Sequence, residues 1–230
     1  MNQCQINNGN PVSVVIADDH PIFRQAIRQA LDPICANPAC EIIEAQDFDC
    51  LDALLSKDSD HDLVLLDLFM PGVEGFSGLL YLGKAYPDLP VVMISANEDP
   101  AVMQRAIDYG ASGYIPKSAS VTTIIEAIST VLQGGVWLPV EAGPSTRGTS
   151  PTETEAAERL QRLTPQQFRV LNMMCRGLAN KNIADQLELA EATVKVHVTA
   201  IMRKLDVTNR TQAVLIANRL AVGEPANPQE

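Results

Sequence analysis

Five short runs rich in Val, Ile and Leu, at residues 12–17, 41–45, 63–66, 91–94 and 113–115, recur along the first 137 residues. None alternates strictly between apolar and polar side chains, which is the pattern of strands buried on both faces of a parallel sheet. Each is followed by a stretch of helical period, at 21–31, 48–55, 77–86, 100–109 and 121–133. Strand then helix, five times over, predicts an α/β fold.

The texture changes after Trp137. Residues 138–159 read as a linker: 141–152 are dominated by Gly, Pro, Ser and Thr, and Thr152 with Glu155 three residues on predicts a capping box for a short helix reaching Leu160. Residues 160–222 carry helical spacing almost throughout, broken near Gly177, Leu189 and residues 207–209, so four short helices fit. Residues 223–230 are polar and Pro-containing, the pattern of a disordered tail. A chain of 230 residues accommodates two domains: one over 12–137, one over 160–222.

Charge separates the same two regions. Residues 1–137 hold 6 Lys and Arg against 18 Asp and Glu, whereas 160–222 hold 9 against 4. The acidic part repels phosphate backbones and the basic part attracts them, so the overall acidity does not exclude nucleic acid. Five scattered cysteines without Cys-x-x-Cys spacing suggest neither a zinc site nor a disulfide framework, and are expected to be reduced thiols. A polar N-terminus and the absence of any run of about 18 apolar residues predict a cytoplasmic protein that does not enter the membrane.

The residues that end the predicted strands carry the chemistry. Asp18 and Asp19 close the first, Asp67 follows the third, Ser95 the fourth and Lys117 the fifth. A parallel sheet gathers all of these at its carboxyl edge, where such folds bind ligands. Three carboxylates together repel one another, and Mg²⁺, which takes oxygen ligands and shares its shell with water and phosphoryl groups, relieves that repulsion. Asp67 is then the natural nucleophile towards phosphorus, Lys117 and Ser95 meet the phosphoryl oxygens, and Tyr114 is placed to swing inward when Ser95 moves. His20 reads as a surface residue beside the pocket.

The strings Ala17-Asp18-Asp19-His20-Pro21, Asp67-Leu68-Phe69-Met70-Pro71-Gly72, Ile94-Ser95-Ala96 and Gly113-Tyr114-Ile115-Pro116-Lys117 resemble the receiver domain of two-component response regulators. Together with Phe23-Arg24 they resemble the NarL/FixJ subfamily. The resemblance implies a doubly wound, flavodoxin-like five-stranded parallel sheet. It also implies phosphorylation of Asp67 by a histidine kinase, Mg²⁺ held by Asp18, Asp19, Asp67 and the backbone carbonyl of Phe69, and a switch formed by Ser95 and Tyr114.

In the second region, Thr164-Pro165-Gln166-Gln167 reads as a capped helix start. A helix from Asn180 to Leu187, a short turn, and a helix from Glu191 to Leu205 form a helix-turn-helix. Val194, Val198, Ile201, Met202 and Leu205 point inward, leaving Thr193, Lys195, Val196, His197 and Thr199 outside. The strings around Asn180-Lys181, Thr193 to Val198, Arg203-Lys204-Leu205 and Asn209-Arg210 resemble the LuxR-type DNA-binding domain, an all-α four-helix unit. That resemblance implies base contacts by Lys195 and Val196, phosphate contacts by Lys181, Thr193, His197, Arg203 and Arg210 beside Lys204, and a dimer contact through the last helix. Ala179 and Ala190 stand where many relatives carry capping serines, and an uncapped helix start costs about 1 kcal/mol; Asn180 is the alternative cap.

The reading that follows is a transcription factor that forms a homodimer on DNA when Asp67 is phosphorylated, with no enzymatic activity beyond self-phosphorylation and autodephosphorylation. Two rivals share parts of it. In one, the first domain is a phosphate-independent dimerisation platform. In the other, the chain is an aspartate-nucleophile phosphatase, a class that needs a second Asp two residues after the nucleophile, where this chain has Phe69. Apolar Phe69 and Ala96 beside the path of water predict a persistent aspartyl phosphate.

Overall fold

A computed structural model describes residues 12–31, 40–73, 75–142 and 151–222. The expected tail at 223–230 and the linker residues 143–150 lie outside the described residues. Five parallel strands, β1 (Ser13–Ala17), β2 (Glu41–Ala45), β3 (Leu63–Asp67), β4 (Val91–Ser95) and β5 (Gly113–Pro116), form one sheet in the order β2-β1-β3-β4-β5. The order reverses between β1 and β3, and there the carboxyl ends of the strands open a crevice.

Helices α1 (Pro21–Leu31) and α5 (Val121–Leu132) cover one face, and α2 (Phe48–Lys57), α3 (Ser77–Ala85) and α4 (Pro100–Asp108) belong to the other. Successive strand residues serve opposite cores. Val15, Val64, Leu66 and Met93 pack with α2 and α3, while Val14, Ile16, Leu65 and Ile94 pack with α1 and α5. β3 and β4 are therefore apolar on both faces, which explains why their sequences do not alternate.

A 3-10 turn at Val140–Ala142 follows α5. The second half of the expected linker is α6 (Pro151–Gln161), and its Ala156, Ala157 and Leu160 are buried in the core of the second domain. The proposed Thr152 cap is displaced: Thr152 lies inside α6, which opens at Pro151, whose fixed φ suits a first helical position. The rest of that domain is α7 (Pro165–Cys175), α8 (Asn180–Gln186), α9 (Glu191–Leu205) and α10 (Arg210–Asn218).

The Thr164 and Gln167 capping box of α7 is present in both directions. α8 and α9 begin at Ala179 and Ala190 with no side-chain cap, and Asn180 is helical instead of capping. Gly177, at φ +79, ends α7, a conformation open to glycine without strain. Cys50 and Cys175 are free thiols, but Cys40 is disulfide-bonded, so the expectation of reduced thiols fails there.

Candidate functional site

The sheet edge brings the strand-end residues together. Lys117 places its Nζ 2.7 Å from Asp18 Oδ2 and 2.9 Å from Asp67 Oδ2, with the Phe23 ring centroid 4.9 Å beneath the cation. Asp18 and Asp67 are buried and Asp19 is partly exposed. Burial pushes the Asp67 carboxyl up; Lys117 opposes that shift and the Asp18 carboxylate adds to it. Asp67 is thus a desolvated carboxylate with the Lys117 cation beside it.

Ligand atoms of Asp18, Asp19, His20 and Asp67 lie within 4.8 Å of one another. Asp18 Oδ2 and Asp19 Oδ1 are buried without an aligned hydrogen bond, although Lys117 and His20 stand at ion-pair distance from them. Buried carboxylate oxygens left in this state suit a hard cation, so the donor set fits a divalent metal. Phe69 sits in the turn after β3, where its N–H donates to Asp67 Oδ1 at 3.4 Å. His20 is exposed, as expected, with Nδ1 2.6 Å from Asp19 Oδ1.

Ser95 closes β4 and accepts a hydrogen bond from the Asn97 N–H at 3.1 Å. Ala96 follows it at the exposed rim. Tyr114 differs from the anticipated outward starting point: it is already fully inside, and its hydroxyl donates to the Asn97 carbonyl at 2.7 Å. Burial pushes its phenol up to about 12. The space behind β4 is filled in this conformation.

On the second domain, Thr193, Lys195, Val196 and Thr199 are exposed along one side of α9, with His197 half-buried. Val196 is 67% exposed, an apolar side chain presented to solvent in the middle of a polar face. Lys195 pairs loosely with Glu191 at 2.9 Å, and Thr199 Oγ1 donates back to the Lys195 carbonyl at 2.9 Å. Lys181 and Arg203 are exposed beside them. Two of the anticipated DNA-binding residues are engaged internally. Lys204 Nζ donates to Gln167 Oε1 at 2.8 Å, and Arg210 donates to the Leu178 carbonyl at 2.6 Å and to Asn180 Oδ1 at 3.2 Å.

Three contributors were given no task by the sequence. Arg24 donates to the Asp18 carbonyl at 2.7 Å and to Glu44 at 2.9 Å, which fixes the end of β1 and, chiefly through the Arg24 hydrogen bond, holds the Glu44 carboxyl low. Phe23 carries the Lys117 cation. Asp52 is buried, bonded to the Tyr81 hydroxyl and ion-paired with Arg169 of α7. Its signal was available: Phe48, Leu51, Asp52 and Leu55 share one helical stripe, so a lone acid falls on an apolar face.

Comparison with known proteins places both halves. The family model described as a response regulator receiver domain matches residues 14–129, and the model described as bacterial regulatory proteins of the luxR family matches residues 161–217. A glycerol metabolism activator of Pseudomonas putida is 44% identical over 209 residues, 89% of this chain and 94% of that one. The nitrate/nitrite response regulator NarP of Escherichia coli is 31% identical over 207 residues, 90% of this chain and 94% of the relative. Among solved structures, RcsB of Salmonella enterica bound to a promoter with a phosphomimetic aligns at a TM-score of 0.52 and 25% identity, covering 91% of this chain and all of that one. With an acidic pocket at the switch point of its sheet and an exposed recognition face on α9, the chain belongs to the DNA-binding two-component response regulators with a LuxR-type output domain.

Proposed function

We propose that Asp67 accepts a phosphoryl group from a sensor histidine kinase and that the modified chain binds its operator as a homodimer. The observation that carries this is Lys117 bridging Asp18 and Asp67 in a buried pocket that lacks cationic charge for its carboxylates. Asp67 attacks phosphorus; the bond from phosphorus to the donor imidazole nitrogen breaks and its electron pair returns to the ring. Mg²⁺, held by Asp18, Asp19, Asp67 and the Phe69 carbonyl, supplies charge neutralisation when bound. Lys117 then turns from Asp67 to a phosphoryl oxygen, and Ser95 donates to another. Phe69, in place of a second acid, leaves no side chain to activate water at that position, so the acyl phosphate persists and the protein acts as a switch instead of a phosphatase.

The cytoplasm is the proposed location, since DNA and kinase are met there; no helix among the described residues is long and apolar enough to cross a membrane. The glycerol metabolism activator's identity over nearly the full chain supports activation of transcription as the output.

Incubation with a labelled small phosphodonor and Mg²⁺ tests the reading. Wild type is expected to take up about one label per chain and Asp67→Asn none. Equal uptake by the two would defeat it. Equal operator affinity with and without phosphodonor would instead favour the dimerisation-platform reading.

At the DNA, Lys195→Ala is expected to weaken operator binding by about 1–3 kcal/mol if Lys195 reads a base. The control is a non-specific duplex, whose affinity is expected to fall much less. An equal loss on both duplexes would assign Lys195 to the phosphate backbone.

A further inference from the structure

His20 stands at the mouth of the phosphoacceptor pocket, where phosphoryl transfer gives it no part. Its backbone is held on both sides: its N–H donates to Asp18 Oδ1 at 2.7 Å, and its carbonyl accepts from the N–H groups of Phe23 and Arg24, each at 3.1 Å. Pro21 follows it as the first residue of α1, with a φ already suited to a helix start. Arg24, in turn, donates to the Asp18 carbonyl. Strand end and helix start are thereby tied to one another, and the His20 side chain departs from a fixed point between the two acids and α1. Packing does not hold its ring, since the side chain is 67% exposed.

From that point the ring reaches the carboxylates. Its Nδ1 lies 2.6 Å from Asp19 Oδ1 and 3.3 Å from Asp18 Oδ1. In an octahedral shell of about 2.1 Å radius, neighbouring ligand atoms stand about 3.0 Å apart and opposite ones about 4.2 Å. The two observed separations fall on either side of the first figure, and ligand atoms of Asp18, Asp19, His20 and Asp67 all lie within 4.8 Å of one another. Among the described residues, no other group of three or more His, Cys, Asp and Glu side chains converges in this way. Burial adds a separate indication. Asp18 is 2% exposed, and its Oδ2 is left with an ion pair to Lys117 and no aligned hydrogen bond.

A nitrogen donor matters to the choice of ion. Mg²⁺ prefers oxygen, dehydrates reluctantly and keeps water in its shell, so it gains nothing from an imidazole. First-row transition ions accept imidazole readily, and their affinity for a mixed nitrogen and oxygen site rises from Mn²⁺ to Co²⁺. We propose that His20 is a metal ligand, through which the pocket takes Mn²⁺, Co²⁺ or a like ion on three carboxylates and one imidazole, whereas Mg²⁺ is held by oxygen donors alone. The pocket then discriminates between divalent ions by a residue that lies outside the strand ends. This inference rests on the carboxylate metal site of the proposed function and not on phosphoryl transfer, so the unphosphorylated chain tests it.

Binding of Mg²⁺, Mn²⁺ and Co²⁺ to the full chain is measured by calorimetry for wild type, His20→Ala, His20→Gln and Asp19→Asn. The Mn²⁺-loaded proteins are also inspected for electron spin echo modulation from a directly bound nitrogen. His20→Ala is expected to weaken Co²⁺ binding about tenfold or more, the scale on which even the supporting partners of a metal ligand are felt. It is expected to weaken Mn²⁺ less and to leave Mg²⁺ where it was. The nitrogen signal is expected in wild type and not in His20→Ala. His20→Gln keeps a hydrogen-bond donor for Asp19 without an imidazole, and is expected to behave like His20→Ala; a Gln variant with the affinities of wild type makes His20 a support for Asp19 and overturns its role as ligand. Equal Co²⁺ affinity in wild type and His20→Ala, or a wild-type spectrum without nitrogen, overturns it as well. Asp19→Asn is expected to lose affinity for all three ions, and unchanged affinities there place the ion elsewhere and overturn the inference. A wild-type chain that binds none of the three overturns the carboxylate metal site itself, whereas one that binds all three with His20 indifferent overturns this inference alone.

Discussion

Chelation of Mg²⁺ is expected to slow labelling of Asp67 by a small phosphodonor about 100-fold, with full recovery when Mg²⁺ is restored. The donor brings negative charge to a pocket where Asp18, Asp19 and Asp67 already present ligand atoms within 4.8 Å of one another. Lys117 is the cation in contact with two of them. At about 4 Å and an effective dielectric of about 20, each unbalanced pair of unit charges costs about 4 kcal/mol. One Lys cannot neutralise three carboxylates and an incoming phosphate. A cation that offsets even about 2.7 kcal/mol of this repulsion in the transition state is worth two factors of ten in rate. Asp19→Asn is expected to act in the same direction while leaving the nucleophile in place, and excess Mg²⁺ is expected to rescue it in part. Initial rates of label uptake in chelator and in Mg²⁺ decide the matter: equal rates would mean that Lys117 and the sheet edge suffice alone.

Much of this pocket was legible because its residues are fixed by backbone position. A side chain at the carboxyl end of a parallel strand has one place to be once the strand order is set, so Asp18, Asp67, Ser95 and Lys117 converge as the sequence implied. The strands themselves were located to within a residue or so, because burial on both faces leaves a continuous apolar run with polar ends. What depends on another element's surface was not legible. Asp52 went unremarked although it is an acid on an apolar stripe; its partner Arg169 lies on a different domain, and no local pattern encodes how two domains dock. The rotameric state of Tyr114 is equally invisible, since the same strand residue fits inside or outside. The α6 start was misplaced because Thr152 with Glu155 satisfies a capping pattern that Pro151 pre-empts. The same lack of tertiary information makes a basic residue near a recognition helix look like a phosphate contact when the structure uses it otherwise.

Arg210 is the sharpest case of that ambiguity, and its replacement by Ala is expected to destabilise the DNA-binding domain by about 2–4 kcal/mol. Its guanidinium joins three segments: it donates to the Leu178 carbonyl at 2.6 Å, to Asn180 Oδ1 at 3.2 Å and, at 3.5 Å, to the Met174 carbonyl near the end of α7. Hydrogen bonds from a charged donor are worth about 1.5–3 kcal/mol each in net stability, and a cation at a helix C-terminus adds about 0.3–1 kcal/mol more. Against that, water can reach part of the site once the side chain is shortened, so the contributions do not sum fully. Arg210→Lys restores the charge but not the planar fork, so it is expected to recover less than half of the loss. The midpoint of the domain's thermal transition is expected to fall by on the order of 10 °C for Arg210→Ala. A phosphate contact makes a different pair of results. It leaves the melting transition where it is and lowers the slope of log affinity against log salt by about 0.9. An Arg210→Ala protein that melts like wild type and loses that unit of salt dependence would return Arg210 to the DNA face; one that melts early, with an unchanged slope below its transition, keeps it as the tie between α10, α7 and α8.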